Sequence, residues 1–120
     1  MATQNRFENL DVWKVSHQLV LKIYKATSKF PREEKFRLGN QLRRSTASVP
    51  TNIVEGSSRA HKKEYLQFLH LAKGSLEETK YHLLLAKDLG YLKDSLYAEL
   101  HEDCNRVGRM LSGLIKHLRS

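Results

Sequence analysis

Apolar residues recur three or four positions apart along nearly the whole chain, which is the spacing of one buried face of an α-helix. Four such stretches predict four helices, at about residues 10–29, 37–58, 62–89 and 94–118. The first helix ends near Phe30-Pro31, because the residue before a proline is disfavoured in helical geometry. Gly90 followed by Tyr91 is typical of a helix C-terminus at which a glycine adopts the left-handed conformation and the next residue makes a hydrophobic contact. No stretch shows the alternating pattern of a β-strand.

Pro50 interrupts the second apolar pattern and leaves two interpretations. A proline inside a helix removes one backbone hydrogen bond and kinks the helix, so one helix could end at Ser48 and another begin at Pro50. The apolar period nevertheless continues from Leu42 through Val49 to Ile53. We therefore predict one kinked helix.

Four helices joined by short connections predict an all-α fold, an antiparallel up-and-down four-helix bundle. A chain of 120 residues has the length of one domain, so we expect residues 1–120 to share one core. The single Cys104 excludes an intramolecular disulfide framework and a cysteine-based zinc site. Apolar runs such as 83–86 are far shorter than the roughly 18 residues of a membrane span. These features predict a cytoplasmic protein without a membrane partner.

The charge is strongly basic and unevenly distributed. The chain has 21 Lys and Arg against 13 Asp and Glu, a net charge of +8. Residues 1–31, 32–63, 64–103 and 104–120 carry +3, +5, −4 and +4 in turn. A basic excess favours polyanionic partners such as RNA or DNA, and segregated charge also favours self-association.

The sequence offers little catalytic chemistry. The six histidines form no His-x-x-x-His pair and no Glu-x-x-His motif, which a di-metal bundle would need. Cys104 lies in an apolar stripe and is interpreted as a core thiol. Phosphate-binding glycine motifs and nucleophile elbows are absent. We expect no enzyme activity, no catalytic residues, no metal and no cofactor.

Two polar groups are candidates for function. The first is a set of basic residues around the second helix and the following turn, which we interpret as phosphate ligands: Arg43, Arg59, Lys62 and Lys63. The alternative is a merely solvated helix face. Residues 43–63 include no Phe, Tyr or Trp, so binding through this set should tolerate any sequence and weaken strongly with salt.

The second group is a predicted polar network within the bundle, with a role in structure or assembly. Its members face each other if the second and third helices form a hairpin: Gln41, Arg44, Asn52, Glu55, Ser75 and Glu78. We expect Arg44 to contact Glu78 or a carbonyl near Ser75. Asn52 should lie near Gln67, and both Asn52 and Glu55 should be at least partly buried.

Several segments in order make the chain similar to a known family. They are Phe7-Glu-Asn-Leu-Asp-Val-Trp13, Phe30-Pro-Arg-Glu-Glu34, Gln41-Leu-Arg-Arg44, Ser48-Val-Pro-Thr-Asn-Ile-Val-Glu-Gly56, Glu64-Tyr-Leu-Gln-Phe68, Gly74-Ser-Leu-Glu-Glu78 and Gly108-Arg-Met-Leu-Ser-Gly-Leu-Ile115. Together they resemble the bacterial four-helix-bundle family of 23S rRNA intervening-sequence proteins. One departure is His61, which stands where relatives often have the Ser or Thr of a capping box, three residues before Glu64.

The resemblance implies a four-helix protomer that assembles as a homopentamer. It also relates the chain to the accessory variability proteins of diversity-generating retroelements, which bind nucleic acid and a reverse transcriptase through a basic surface. We therefore expect a non-enzymatic homopentameric bundle that binds RNA or DNA. The alternative is a protein–protein adaptor or scaffold whose basic face binds an acidic partner or a reverse transcriptase.

Overall fold

A computed structural model describes residues 5–120 of the chain. Arg6–Asn9 form a 3₁₀ turn, followed by α1 (Asp11–Thr27), the single turn α2 (Arg32–Lys35), α3 (Leu38–Ser57), α4 (Lys62–Asp88) and α5 (Asp94–Arg119). The four long helices confirm the predicted all-α four-helix bundle, and each begins and ends within two residues of its predicted bounds. From residue 5 to residue 120 the chain forms no strand.

Each long helix packs against two others. α3 contacts α1 and α4, and α5 contacts α4 and α1, so α1 and α4 occupy opposite corners of the bundle. The core between them is built from side chains that are almost completely buried: Leu19, Ile23, Leu42, Ile53, Leu69, Leu76, Leu83, Leu100 and Leu111. These side chains occupy the apolar positions of the helical pattern in the sequence. Their burial in the core stabilises each amphipathic helix.

Pro50 is buried inside an unbroken α3, which confirms the prediction of one helix. Two side chains just after it bond to carbonyls of the preceding turn. Thr51 Oγ1 donates to the Ala47 carbonyl at 2.7 Å, and Asn52 Nδ2 donates to the Ser48 carbonyl at 2.8 Å. These bonds add polar contacts beside the position where proline has no N–H to donate.

The predicted end of α4 is also confirmed. Gly90 has a φ of 84°, in the left-handed region that glycine adopts without steric cost. The following N–H, that of Tyr91, donates to the Ala86 carbonyl at 2.8 Å. The Tyr91 ring also lies 5.6 Å from the ring of Phe30, which joins the end of α4 to the connection between α1 and α2.

The α1–α5 contact carries an ion pair that spans the two helices. Lys22 Nζ lies 2.8 Å from Asp103 and 3.2 Å from Glu99. Hydrogen bonds to these two carboxylates raise the pKa of Lys22 above its ordinary value. None of the helices formed by residues 5–120 is both long enough and apolar enough to cross a membrane.

Candidate functional site

The helix directions bring basic residues from distant parts of the sequence to one end of the bundle. The start of α1, the end of α3, the start of α4 and the end of α5 meet there, around a pocket lined by Arg6, Ser57, Tyr65 and Leu114. Six exposed cations lie at this end, which we call the basic end: Arg6, Arg59, Lys62, Lys63, Lys116 and Arg119.

The cations of the basic end are not held in ion pairs within the part of the protein that the structure describes. None of its six cations forms an ion pair within 4 Å with any residue from 5 to 120. Four carboxylates share the region. Glu8 accepts a hydrogen bond from the Asn5 backbone N–H, and Glu64 is in the first turn of α4. Asp11 opens α1 and Glu55 lies in the last turn of α3, and both are exposed. Six cations thus face four carboxylates at this end, and none of the six is paired directly with one of them.

Lys62 and Lys63 occupy the first turn of α4, where their charge has the same sign as the helix dipole. His61 precedes the helix and makes no side-chain capping bond, as its departure from the capping-box pattern predicted. Cations at the start of a helix do not stabilise it, whereas an anion bound there would be stabilised both by the helix dipole and by these lysines.

Aromatic rings lie among these cations, although the sequence around residues 43–63 has none. The Arg59 guanidinium lies over the Phe68 ring, 4.8 Å from its centroid. Tyr65 and Phe7 line the pocket at this end of the bundle, which has a volume of about 410 Å³. Burial raises the pKa of the Tyr65 hydroxyl, an effect that the positive charge of Arg6 opposes. The prediction missed Tyr65 and Phe68 because they lie in α4 just beyond residues 43–63, and it missed Phe7 because that ring belongs to the distant 3₁₀ turn.

Arg43 was predicted to bind phosphate, and in the structure its guanidinium is hydrogen-bonded within the protein. Its guanidinium donates to Thr27 Oγ1 at 3.0 Å, to the Lys35 carbonyl at 2.6 Å and to Asn40 Oδ1 at 2.9 Å. These bonds tie α1, α2 and α3 together at the end of the bundle opposite the basic end. Two guanidinium nitrogens of Arg43 are thus already bonded within the protein.

A polar groove runs between α3 and α4 on the outer face of the bundle. It has a volume of about 680 Å³ and is lined by Gln41, Arg44, Ser45, Ser48, Ser75, Glu78 and His82. Four residues of the predicted network therefore line one groove: Gln41, Arg44, Ser75 and Glu78. Asn52 and Glu55 do not line it. Its floor consists of hydroxyl bonds: Ser75 Oγ donates to Ser48 Oγ at 2.9 Å, and Thr79 Oγ1 donates to Ser45 Oγ at 2.9 Å.

The charged part of the predicted network is wrong. Within residues 5–120, Arg44 and Glu78 form neither an ion pair nor a hydrogen bond, and both side chains are exposed. Gln41 and Glu55 are exposed as well, while Asn52 and Ser75 are half-buried. Asn52 bonds to Ser48 rather than to Gln67. Short hydroxyl side chains fill the helix contact, so the longer charged groups are directed toward solvent.

One buried polar atom in the groove has no partner. His82 is 9% exposed, and its Nδ1 accepts or donates no hydrogen bond within the described part of the chain. A buried polar atom without a hydrogen-bond partner is energetically costly. Sequence reasoning missed His82, and also the buried Thr46 and Thr79, because nothing in the linear pattern separates them from surface residues.

The remaining candidate groups show no catalytic arrangement in residues 5–120. No cluster of three or more His, Cys, Asp or Glu side chains there has the geometry of a metal site. Cys104 is buried, and desolvation raises the pKa of its thiol to about 12. A thiol held neutral in this way is a poor nucleophile.

A family model described as 23S rRNA-intervening sequence protein matches residues 8–113. The chain belongs to this family. The match spans the bundle from the 3₁₀ turn into the last turns of α5. It includes the groove around Ser48 and, of the basic end, Arg59, Lys62 and Lys63, whereas Arg6, Lys116 and Arg119 lie outside the matched range.

One solved structure of similar fold comes from the same group of proteins. It is the crystal structure, at 1.70 Å resolution, of a protein of unknown function from the S23 ribosomal protein family of Bacteroides thetaiotaomicron VPI-5482. The two share a TM-score of 0.82 and 24% sequence identity, over 88% of this chain and 95% of that one. At that identity the likeness establishes the fold. No curated protein matches the sequence.

The motif that ends in Gly56 has a clear structural reason in this member of the family. A β-carbon at Gly56 would lie 2.8 Å from Phe68 Cβ and 3.0 Å from Tyr65 Cδ1. Only glycine allows α3 and α4 to approach this closely while both rings remain in place. Gly56 therefore positions the aromatic part of the basic end.

Proposed function

We propose that this chain is a non-enzymatic, homo-oligomeric bundle that binds the backbone of RNA or DNA through its basic end. The observation that carries the proposal is the convergence of six exposed cations without ion-pair partners at one end of the fold. Arg59, Lys62 and Lys63 remain from the predicted ligands, and Arg6, Lys116 and Arg119 are added. Arg43 is not part of this set.

The physical basis is neutralisation of phosphate charge. Lys and Arg side chains displace counterions from the nucleic-acid backbone, so binding of this kind is insensitive to sequence and sensitive to salt. Assembly strengthens it, because several copies of a weak basic surface raise the avidity without any new contact. We propose five copies, the number that the resemblance to the family implies.

We further propose how the protomers associate. Exposed apolar residues lie at two opposite corners of the bundle: Leu71 and Tyr81 on α4, which are 58% and 60% exposed, and Leu21 and Tyr24 on α1, which are 49% and 50% exposed. Leu71 lies one turn from Ser75 and so extends the groove that holds the unpartnered His82. Two different patches that meet head to tail close into a ring, as a pentamer requires.

The test of nucleic-acid binding uses two variants with the same change of charge. The first replaces Arg59, Lys62 and Lys63 by Gln. The control replaces Lys25, Lys29 and Lys93, which are exposed near the other end of the bundle. We expect the first variant to lose binding to RNA and DNA at about 100 mM salt, with helix content and assembly unchanged. The control should retain binding.

Equal losses from both variants would show that net charge alone is responsible. A wild-type protein that binds neither RNA nor DNA under these conditions would contradict the proposal. The adaptor interpretation, in which the basic end binds an acidic protein, would then replace it.

A further inference from the structure

The pocket at the basic end combines features that suit a planar aromatic ligand. Its volume of about 410 Å³ falls within the range of about 300–1,000 Å³ that is typical of small-molecule sites. Tyr65 and Phe7 supply aromatic walls, Asn9 supplies a side-chain amide, and Arg6 stands at the same pocket. No Asp or Glu lines it.

Both aromatic walls are held in place by their surroundings. Tyr65 packs on the backbone of Gly56, where a β-carbon would come within 3.0 Å of its ring. Phe7 packs edge-on against Trp13, with the ring centroids 5.1 Å apart. Rings that are already ordered lose little entropy when a third ring stacks on them.

The polar groups of the pocket have free bonding capacity. Neither the Tyr65 hydroxyl nor the Asn9 amide hydrogen-bonds to another side chain within residues 5–120, and Asn9 is exposed. A side-chain amide offers a donor and an acceptor in the arrangement that matches the edge of a nucleobase. Arg6, beside the ring of Tyr65, can neutralise the phosphate attached to that base.

We propose that this pocket receives an unstacked base of single-stranded nucleic acid whose backbone is bound by the cations of the basic end. The inference rests on the proposed nucleic-acid function and adds the strand type and the base contact to it. The base stacks between Tyr65 and Phe7, and Asn9 bonds to its edge. A base held in a duplex cannot enter, since its faces are covered by its neighbours. The contact tolerates any base, because every base has an aromatic face.

The test compares two ligands that have the same number of phosphates. One is an oligouridylate of about ten nucleotides, and the other is the same backbone with abasic residues. We expect the oligouridylate to bind about tenfold more tightly, the effect of one base–aromatic stack. Trp13 is the only tryptophan of the chain and contacts Phe7, so its fluorescence should change with oligouridylate and not with the abasic strand.

Variants of Tyr65 separate the ring from the hydroxyl. Tyr65→Ala should bind the oligouridylate no more tightly than the abasic strand, with the affinity for the abasic strand unchanged. Tyr65→Phe should retain most of the preference for the oligouridylate. Should Tyr65→Ala fail to fold, the comparison of the two ligands on the wild-type protein still decides.

The possible failures are distinguishable. Equal affinities for the two strands, or a preference for bases without any change in Trp13 fluorescence, would overturn the base pocket and leave backbone binding in place. Binding of neither strand would overturn the proposed function and the base pocket together.

Discussion

Gly56 lies so close to Phe68 that a β-carbon on the glycine would come within 2.8 Å of Phe68 Cβ. This distance sets the separation of α3 and α4 at the basic end. Phe68 in turn supports the Arg59 guanidinium at 4.8 Å, a cation–π contact that fixes one phosphate-binding candidate. The close helix contact and the proposed binding surface therefore depend on one residue without a side chain.

Gly56→Ala should lower the free energy of unfolding by about 1–3 kcal/mol, because the added methyl group must displace Phe68 or Tyr65. Gly74 provides the matched control, since it lies exposed within α4 and a β-carbon there meets nothing within 4 Å. Gly74→Ala should stabilise the protein by about 0.5–1 kcal/mol through its higher helix propensity. Chemical denaturation measures both. Equal effects of the two substitutions would contradict the account of Gly56.

Arg43→Gln should lower the free energy of unfolding by about 2 kcal/mol, since hydrogen bonds from a charged donor to Thr27, Lys35 and Asn40 are lost. Arg106→Gln is the control, because Arg106 is exposed on α5 and has no ion pair within residues 5–120. That change should stay within about 0.5 kcal/mol of wild type. Arg43→Gln should leave nucleic-acid affinity per folded molecule unchanged. A selective loss of affinity would restore Arg43 as a phosphate ligand.

Cys104 should resist alkylation in the folded protein. Its thiol is buried, and a pKa of about 12 leaves almost no thiolate at neutral pH. Iodoacetamide should label it slowly in buffer and rapidly in denaturant. The raised pKa also makes the stability depend on pH. Below the ordinary thiol pKa, the thiol is neutral in both the folded and the unfolded state, and it does not affect the free energy of unfolding. Above about pH 9 the thiol ionises only in the unfolded state, which stabilises that state, so the free energy of unfolding falls as the pH rises. Rapid labelling of the native protein would contradict the burial.

Assembly is tested by charges placed on the two apolar patches. Leu71→Glu and Leu21→Glu should each break the oligomer into protomers, whereas Leu89→Glu, at a 52% exposed leucine away from both patches, should leave it intact. A mixture of the first two variants should form a dimer, because each retains the patch that the other lacks. Sedimentation measures the three variants, the mixture and the wild type. A wild-type protein with the mass of one protomer at micromolar concentration would contradict the assembly proposal.

The fold could be predicted closely from the sequence because its determinants are local. The apolar period marks the four helices, the continued period across Pro50 favours one helix, and Gly90 with Tyr91 marks a helix end. Each of these signals involves residues within a few helical turns of one another, so the helix bounds can be predicted without knowing which helices pack together.

The functional residues were harder to predict, because their roles depend on which neighbours surround each helix. Arg43 and Arg44 are adjacent in sequence, yet the turn of the helix directs Arg43 toward Thr27, whereas Arg44 lies exposed at the groove between α3 and α4. The hydrophobic pattern does not say which polar face meets a neighbouring helix. Phe7 was missed for the same reason, since it meets Tyr65 at the basic end only through the packing of the bundle. Phe68 lies close to Arg59 in sequence, but just beyond the predicted basic set.

The salt dependence of nucleic-acid binding tests the central claim most directly. The logarithm of the association constant should fall linearly with the logarithm of salt concentration, with a slope of about −0.9 per phosphate contact on a duplex and about −0.7 on a single strand. Replacing Arg59, Lys62 and Lys63 by Gln should make this slope shallower by about two to three units, whereas replacing Lys25, Lys29 and Lys93 should leave it unchanged. Identical slopes for the two variants would contradict a phosphate-binding site at the basic end.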